Sequence, residues 1–272
     1  MRRMKLSIIV LGLLGGLMVV SAAQVMAKPP LSYVALGDSV AAGLGLSDTE
    51  GDTCGRSTAA YPHQVAAGLG TIVTQLACSG AKVDEGIYGP QTMADNTELA
   101  AQLSIAFADG TPDVMTVTVG ANDARWTRSI KQCYVWKCGS RVESVAAKVY
   151  RADLRAELYN MLYQVYRRSD GDPPKVLLSG YYAPIGDATC SDTNRLSASE
   201  RTWIKQQTAD LNQAIKSVIP YFSYAQYVPV SFSGHELCTT TPWVQSLDDP
   251  APFHPTAEGQ TAIARAFLSQ LR

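Results

Sequence analysis

Tyr33-Val34-Ala35-Leu36-Gly37-Asp38-Ser39 is the stretch on which the reading of this chain turns. Its apolar run followed by Gly-Asp-Ser reads as a short buried strand that stops abruptly in a tight turn. Such a turn can lift one hydroxyl to the rim of a sheet, where the C-terminal end of the strand meets solvent. In open α/β sheets that rim is where ligands bind. Ser39 is therefore the first candidate for chemistry. The rest of the chain has to supply a sheet around it and a base beside it.

The sheet is legible on both sides of Ser39. Besides Ser32–Gly37, four short apolar or β-branched runs read as strands: Thr71–Leu76, Asp113–Val119, Lys175–Gly180 and Tyr224–Val230. Helical spacing separates them. Ser57 or Thr58 is a candidate N-cap for a helix through Tyr61 to Gly68, with Pro62 tolerated in its first turn. Asn96–Ala108 carries Leu99, Leu103, Ala106 and Phe107 at helical spacing, and Val142–Arg168 carries Val145, Val149, Ala152, Leu154, Leu158, Met161, Leu162 and Val165. Ser197 or Ser199 with Glu200 opens a helix that reaches Ile219 before Pro220. Thr256 caps a last helix through Leu268, with Glu258 in its first turn. Strands alternating with helices predict a three-layer α/β/α fold, with a parallel five-stranded sheet covered on both faces. Two excursions, Trp126–Ser140 and Tyr181–Leu196, are longer than a connection needs and read as rim loops.

The chain begins with Met1-Arg2-Arg3-Met4-Lys5, then an apolar run from Leu6 to Ala23, then Val25-Met26-Ala27 with small residues at the −3 and −1 positions of a cleavage site. This reads as a secretory signal peptide over residues 1–27, leaving one domain over 28–272. An uncleaved anchor is the competing reading, because the run is near the minimum length for spanning a bilayer. No later run is long enough to cross a membrane. Without Arg2, Arg3 and Lys5 the chain holds 20 Lys+Arg against 24 Asp+Glu, a mild acidity that argues against a nucleic-acid partner. All six cysteines follow the cleavage site, and an even number in an exported chain reads as three disulfides of open connectivity. No Cys-x-x-Cys pair or histidine cluster accompanies them, so neither a metal nor a cofactor is expected.

Further blocks sit downstream of Ser39: Ala42-Gly43-Leu44-Gly45, Cys54-Gly55-Arg56-Ser57, Ala60-Tyr61-Pro62, Cys78-Ser79-Gly80-Ala81, Gly120-Ala121-Asn122-Asp123 and Phe253-His254-Pro255-Thr256. With Gly37-Asp38-Ser39 they resemble, in order, the motifs of the SGNH hydrolases, the GDSL esterase/lipase family, and most of all its secreted actinobacterial branch. The resemblance implies a flavodoxin-like strand order, disulfides Cys54–Cys78, Cys133–Cys138 and Cys190–Cys238, and an oxyanion hole built from the Ser39 N–H, the Gly80 N–H and the Asn122 amide. It implies a serine esterase or lipase acting through an acyl-enzyme, with His254 as the base.

A serine hydroxyl needs such a base at neutral pH. Of the three histidines, His63 and His235 read as packing or surface residues, and His254, just before the last helix, is the one in the family's block. The family pattern places an aspartate three residues before this histidine, and here that position is Ala251. Two accounts of what orients His254 follow: Asp249 or Asp248 folds back to the imidazole, or a main-chain carbonyl of Ala251 or a neighbour does so, which the secreted branch favours. Asp38 and Asp123 read as structural. Trp126, Trp136, Tyr181, Tyr182 and Trp243 are candidates for lining an acyl or aromatic pocket. The absence of a long apolar lid segment predicts short to medium acyl chains. Carbohydrate O-acetylesterase or phospholipase A-type activity would use the same residues, and an exported binding protein that keeps the fold without turnover is the non-enzymatic alternative. The expected state is a monomer.

Overall fold

The computed structural model describes residues 31–271, so the expected signal peptide over 1–27 lies outside the described residues. The chain enters on β1 (Tyr33–Gly37), every residue of which is buried, and turns at once into the four-residue helix α1 (Ser39–Ala42). There follow α2 (Tyr61–Leu69), β2 (Val73–Gln75), a small hairpin of β3 (Gln91–Thr92) and β4 (Glu98–Leu99), and α3 (Gln102–Ala106). Then come β5 (Val114–Thr118), α4 (Trp126–Val135), the long α5 (Arg141–Arg168), β6 (Lys175–Ser179), α6 (Ala198–Val218), β7 (Ala225–Val228) and α7 (Ala257–Ser269).

Five of the strands form one parallel sheet in the order β2-β1-β5-β6-β7. The interior strands β1, β5 and β6 are buried along their length, apart from Lys175 at the start of β6, because both faces are covered. Right-handed crossovers place α2 on one face and α5 and α6 on the other. In accord with this, α7 packs on α2, where Tyr61 stacks on Phe267 at 4.8 Å between ring centroids, and α5 packs on α6. From β1 the chain goes first to β2 on one side and later to β5 on the other. Their C-terminal ends therefore diverge at a topological switch point, and Ser39 and Asn122 follow the two strands that border it.

The structure corrects the sequence reading in four places. The helix expected over Asn96–Ala108 shrinks to α3. Asp95 and Asn96 instead make a turn, in which the Thr97 N–H donates to Asp95 Oδ1 at 2.9 Å and Asn96 takes a φ of +64°, so Glu98–Leu99 pairs back on Gln91–Thr92. The rim loop Trp126–Ser140 contains α4. The N-cap of α2 is Ala60, while Ser57 is turned inward to accept the Ala59 N–H. Finally, the apolar spacing of α5 mixes two faces: Leu154, Leu158, Met161, Leu162 and Val165 are buried, whereas Val142, Val145 and Val149 face solvent. Ser140 and Ser197 begin α5 and α6 with full capping boxes closed by Glu143 and Glu200.

Candidate active site

The Ser39 side of the site is made by the end of the sheet. Gly37 has a φ of +147°, and a Cβ there would stand 2.4 Å from the Thr118 carbonyl oxygen on β5, so only glycine fits. The buried Gln102 amide brackets this residue: the Gly37 N–H donates to Gln102 Oε1 at 2.8 Å, and Gln102 Nε2 donates to the Gly37 carbonyl at 3.0 Å. Asp38 then donates its N–H to Thr118 O and caps α1 by accepting the Val40 N–H at 2.9 Å. Burial pushes the Asp38 carboxyl up to about 7, against the opposing hydrogen bond from the Tyr181 hydroxyl. Asp38 is thus occupied as a cap and brace. Ser39 is the first residue of α1, and its N–H, like any at a helix start, has no intrahelical acceptor.

The His254 side is a loop held by side chains. Phe253 has a φ of +72°, uncommon for a bulky residue, and its carbonyl accepts the Tyr182 hydroxyl at 2.7 Å. Gln245 ties the same turn at several points. Its N–H donates to the His254 carbonyl at 2.8 Å, and its carbonyl accepts the Phe253 N–H at 3.0 Å. Its side-chain amide donates to the Leu44 and Pro255 carbonyls and accepts the Ala251 N–H. Gln260 on α7, fully buried, donates to the Val40 carbonyl of α1 and accepts the Tyr61 N–H of α2. The helix after His254 is thereby fastened to the helix that begins at Ser39.

Across this frame, His254 Nε2 lies 2.8 Å from Ser39 Oγ. On the other side of the ring, Nδ1 faces the carbonyls of Ala251 at 3.2 Å and Pro252 at 3.3 Å. Carbonyl oxygens only accept, so Nδ1 carries the proton and the lone pair on Nε2 is left to accept from the Ser39 hydroxyl. Asp249 does not turn back to the imidazole; its Oδ2 accepts the Ser246 N–H at 2.6 Å. Burial holds the His254 pKa below the ordinary histidine value; the two carbonyl contacts pull the other way and Lys131 adds to the lowering.

Gly80 and Asn122 are linked to each other through the Cys78–Ala81 turn. Gly80 has a φ of +84°, and Gln91 steadies the turn by donating to the Ser79 carbonyl at 2.9 Å. The Asn122 side chain donates one N–H to the Ala81 carbonyl at 2.9 Å, which leaves its second N–H uncommitted. Among the hydrogen bonds of the described residues, neither the Ser39 nor the Gly80 main-chain N–H has a protein acceptor. Main-chain N–H groups without a protein acceptor are free to donate to a ligand.

Residues 35–262 match the GDSL-like Lipase/Acylhydrolase family. This chain belongs to that family. A Streptomyces rimosus lipase is 32% identical over 262 residues, covering 92% of this chain and 89% of the relative. Among solved structures, the extracellular lipase from Streptomyces rimosus aligns with a TM-score of 0.65 at 29% identity, covering 88% of this chain and 99% of the other. Phospholipase A1 from Streptomyces albidoflavus aligns with a TM-score of 0.68 at 25% identity, covering 87% and 98%. This GDSL-like protein is a carboxylic ester hydrolase.

The remaining candidates in this lipase/acylhydrolase fall outside the Ser39–His254 contact. His63 bonds Gln75 at 2.6 Å near Glu50, and His235 stacks on Trp243 at 3.6 Å between rings. Asp123 accepts the Val83 N–H at 3.0 Å, and burial pushes its carboxyl up to about 6. Trp126, Tyr181 and Tyr182 are core residues rather than pocket walls, whereas Trp136 is exposed. Disulfides join Cys54 to Cys78, Cys133 to Cys138 and Cys190 to Cys238. The braces Gln91, Gln102, Gln245 and Gln260 were not singled out from the sequence, where glutamines at wide separation carry no pattern. Among the described residues no cluster of His, Cys, Asp or Glu is arranged to hold a metal ion, and no helix is long and apolar enough to cross a membrane.

Proposed function

We propose that this GDSL-like hydrolase is a secreted lipase or esterase that works through a Ser39–His254 dyad and an acyl-enzyme. The observation that carries the reading is the 2.8 Å contact between Ser39 Oγ and His254 Nε2, on a ring whose Nδ1 faces only carbonyls. Ser39 Oγ attacks the ester carbonyl carbon as its proton passes to Nε2. The oxyanion takes hydrogen bonds from the Ser39 and Gly80 N–H groups and the Asn122 amide. The imidazolium then protonates the leaving alcohol; neutral His254 next takes a proton from water as the water oxygen attacks the acyl carbon, and hands it to Ser39 Oγ as the acyl–Oγ bond breaks and the acid leaves. The Ala251 and Pro252 carbonyls hold the tautomer, and they stabilise the imidazolium less than a carboxylate would. Secretion is supported by the basic and apolar leader and by three disulfides. The relatives named as lipases and a phospholipase A1 favour lipid acyl esters over carbohydrate acetates, and the lack of a long apolar lid segment favours short to medium chains.

A p-nitrophenyl butanoate assay tests this directly. The parent releases a stoichiometric burst of p-nitrophenol before steady turnover wherever deacylation is the slower step, and Ser39→Ala lowers turnover by on the order of 10⁴-fold or more. Retention of parental turnover in Ser39→Ala ends the proposal.

A further inference from the structure

The segment from Arg125 to Arg141 differs in charge from the rest of the molecule. It carries five of the chain's 23 basic residues (Arg125, Arg128, Lys131, Lys137 and Arg141) and none of its 24 acidic ones, in a protein whose net charge is −1. All five are exposed, and none of them meets a carboxylate within ion-pair distance among the described residues. At the tip of this segment Val135 is 70% and Trp136 73% exposed, in a turn that the Cys133–Cys138 disulfide closes. The buried residues of the same helix, Trp126, Ile130 and Cys133, anchor it to the core, and the Trp126 indole donates to Thr208 on α6 at 2.9 Å. A tryptophan is costly to leave in water, and here it is held outward by a covalent loop instead of folding back.

The segment also adjoins the dyad. The Tyr134 ring lies 5.6 Å from that of Phe253, the residue before His254, and Lys131 is close enough to disfavour the imidazolium. An exposed indole and valine set among unpaired cations is the pattern of an element that rests in a lipid–water interface: the apolar tip enters the headgroup boundary while lysines and arginines meet anionic headgroups.

We propose that α4 and its disulfide-closed tip dock this enzyme on an anionic lipid surface, with Val135 and Trp136 inserted and Arg128 and Lys137 on the headgroups, so that acyl esters are drawn from the aggregate beside Ser39. The proposal rests on the esterase reading above and names the physical form of its substrate. Charge complementarity selects the occupant. A second copy of this chain would bring like charges together around Trp136.

The test is flotation of Ser39→Ala protein with vesicles of phosphatidylcholine and of an equimolar phosphatidylcholine–phosphatidylglycerol mixture. The expected result is binding to the mixed vesicles only, with a blue shift of tryptophan emission. Val135→Ser/Trp136→Ser abolishes the shift and weakens binding at least tenfold, and Arg128→Gln with Lys137→Gln weakens it about fivefold for each charge removed. The same substitutions in the Ser39 enzyme leave hydrolysis of soluble p-nitrophenyl butanoate unchanged while lowering that of the mixed vesicles. Equal binding to both vesicle types, or mixed-vesicle binding indifferent to the substitutions, overturns the docking. So does a sedimentation result in which Trp136 holds a dimer with no effect on vesicles. Soluble-ester hydrolysis reads the catalytic proposal and vesicle partition reads the docking, so the two fail separately.

Discussion

The Ser39 turn and the His254 turn carry the two halves of one hydrogen bond, yet they are held by different means. Ser39 is placed by backbone: an interior strand of a parallel ladder, a glycine that alone fits against Thr118, and a helix that starts at Ser39 itself. His254 lies in a loop outside the sheet, and its position depends on side chains that reach main-chain atoms, chiefly Gln245, Tyr182 and Gln260. The first arrangement is cooperative with the whole fold. The second can be loosened locally, because removing one amide frees one turn without unpairing a strand. The difference teaches that His254, rather than Ser39, is the adjustable member of the pair.

Three measurements sharpen or break that contrast, the largest effect first. Gln245→Leu should lower kcat on the order of 10²-fold with KM little changed, because the imidazole loses its register with Ser39. Gln102→Leu, its counterpart on the serine side, should instead cost about 1–3 kcal/mol of unfolding free energy and keep most of kcat. Urea titrations and steady-state kinetics on both variants decide this, and the contrast fails if the two swap behaviours.

A second, smaller effect is pH dependence. In the proposed mechanism His254 must be neutral, and burial lowers its pKa, so the acid limb of kcat/KM should fall below the roughly 6.5 of a free histidine. On the serine side, Asp38 has a folded pKa of about 7 against an ordinary 3.8. The folded state holds that proton where the unfolded chain has lost it. Stability from this group therefore declines as pH rises from about 4 to about 7 and is level outside that window. Comparing urea midpoints at both ends of the window, Asp38→Asn should show a smaller decline than the parent.

The smallest effect is expected at Asp249, whose carboxylate is engaged with the Ser246 N–H. Asp249→Ala should keep most of the activity on p-nitrophenyl butanoate. A thousandfold loss would mean that the carboxylate, not the carbonyl pair, orients the ring.

These contrasts follow what could be read in the residues. The five strands, the capped helices and the Gly37-Asp38-Ser39 turn are local features, announced by apolar runs, capping residues and glycine. The reading failed where a local pattern had two solutions. Leu99 and Leu103 fit a helical stripe, but the Asp95–Asn96 turn and pairing with Gln91–Thr92 claim Glu98 and Leu99 for a strand. Val145 and Val149 fit the apolar rhythm of α5, but the layer beneath has room for only one face. Trp126 and Trp136 stand in one segment, and burial against α6 separates them.

Sequence alone determined the class of fold and the serine at the end of the first strand, because strand and turn chemistry are written in neighbouring residues, and the family's motif pointed to His254 as its partner. Tertiary structure alone decided how the imidazole is oriented, which glutamines brace it and that a basic helix with an exposed indole stands beside it. The carbonyls that face the ring are its near neighbours in the chain, but the loop that carries them is set by bonds from Gln245 to Leu44 and from Gln260 to Val40, across some two hundred residues, and no local pattern records such a meeting.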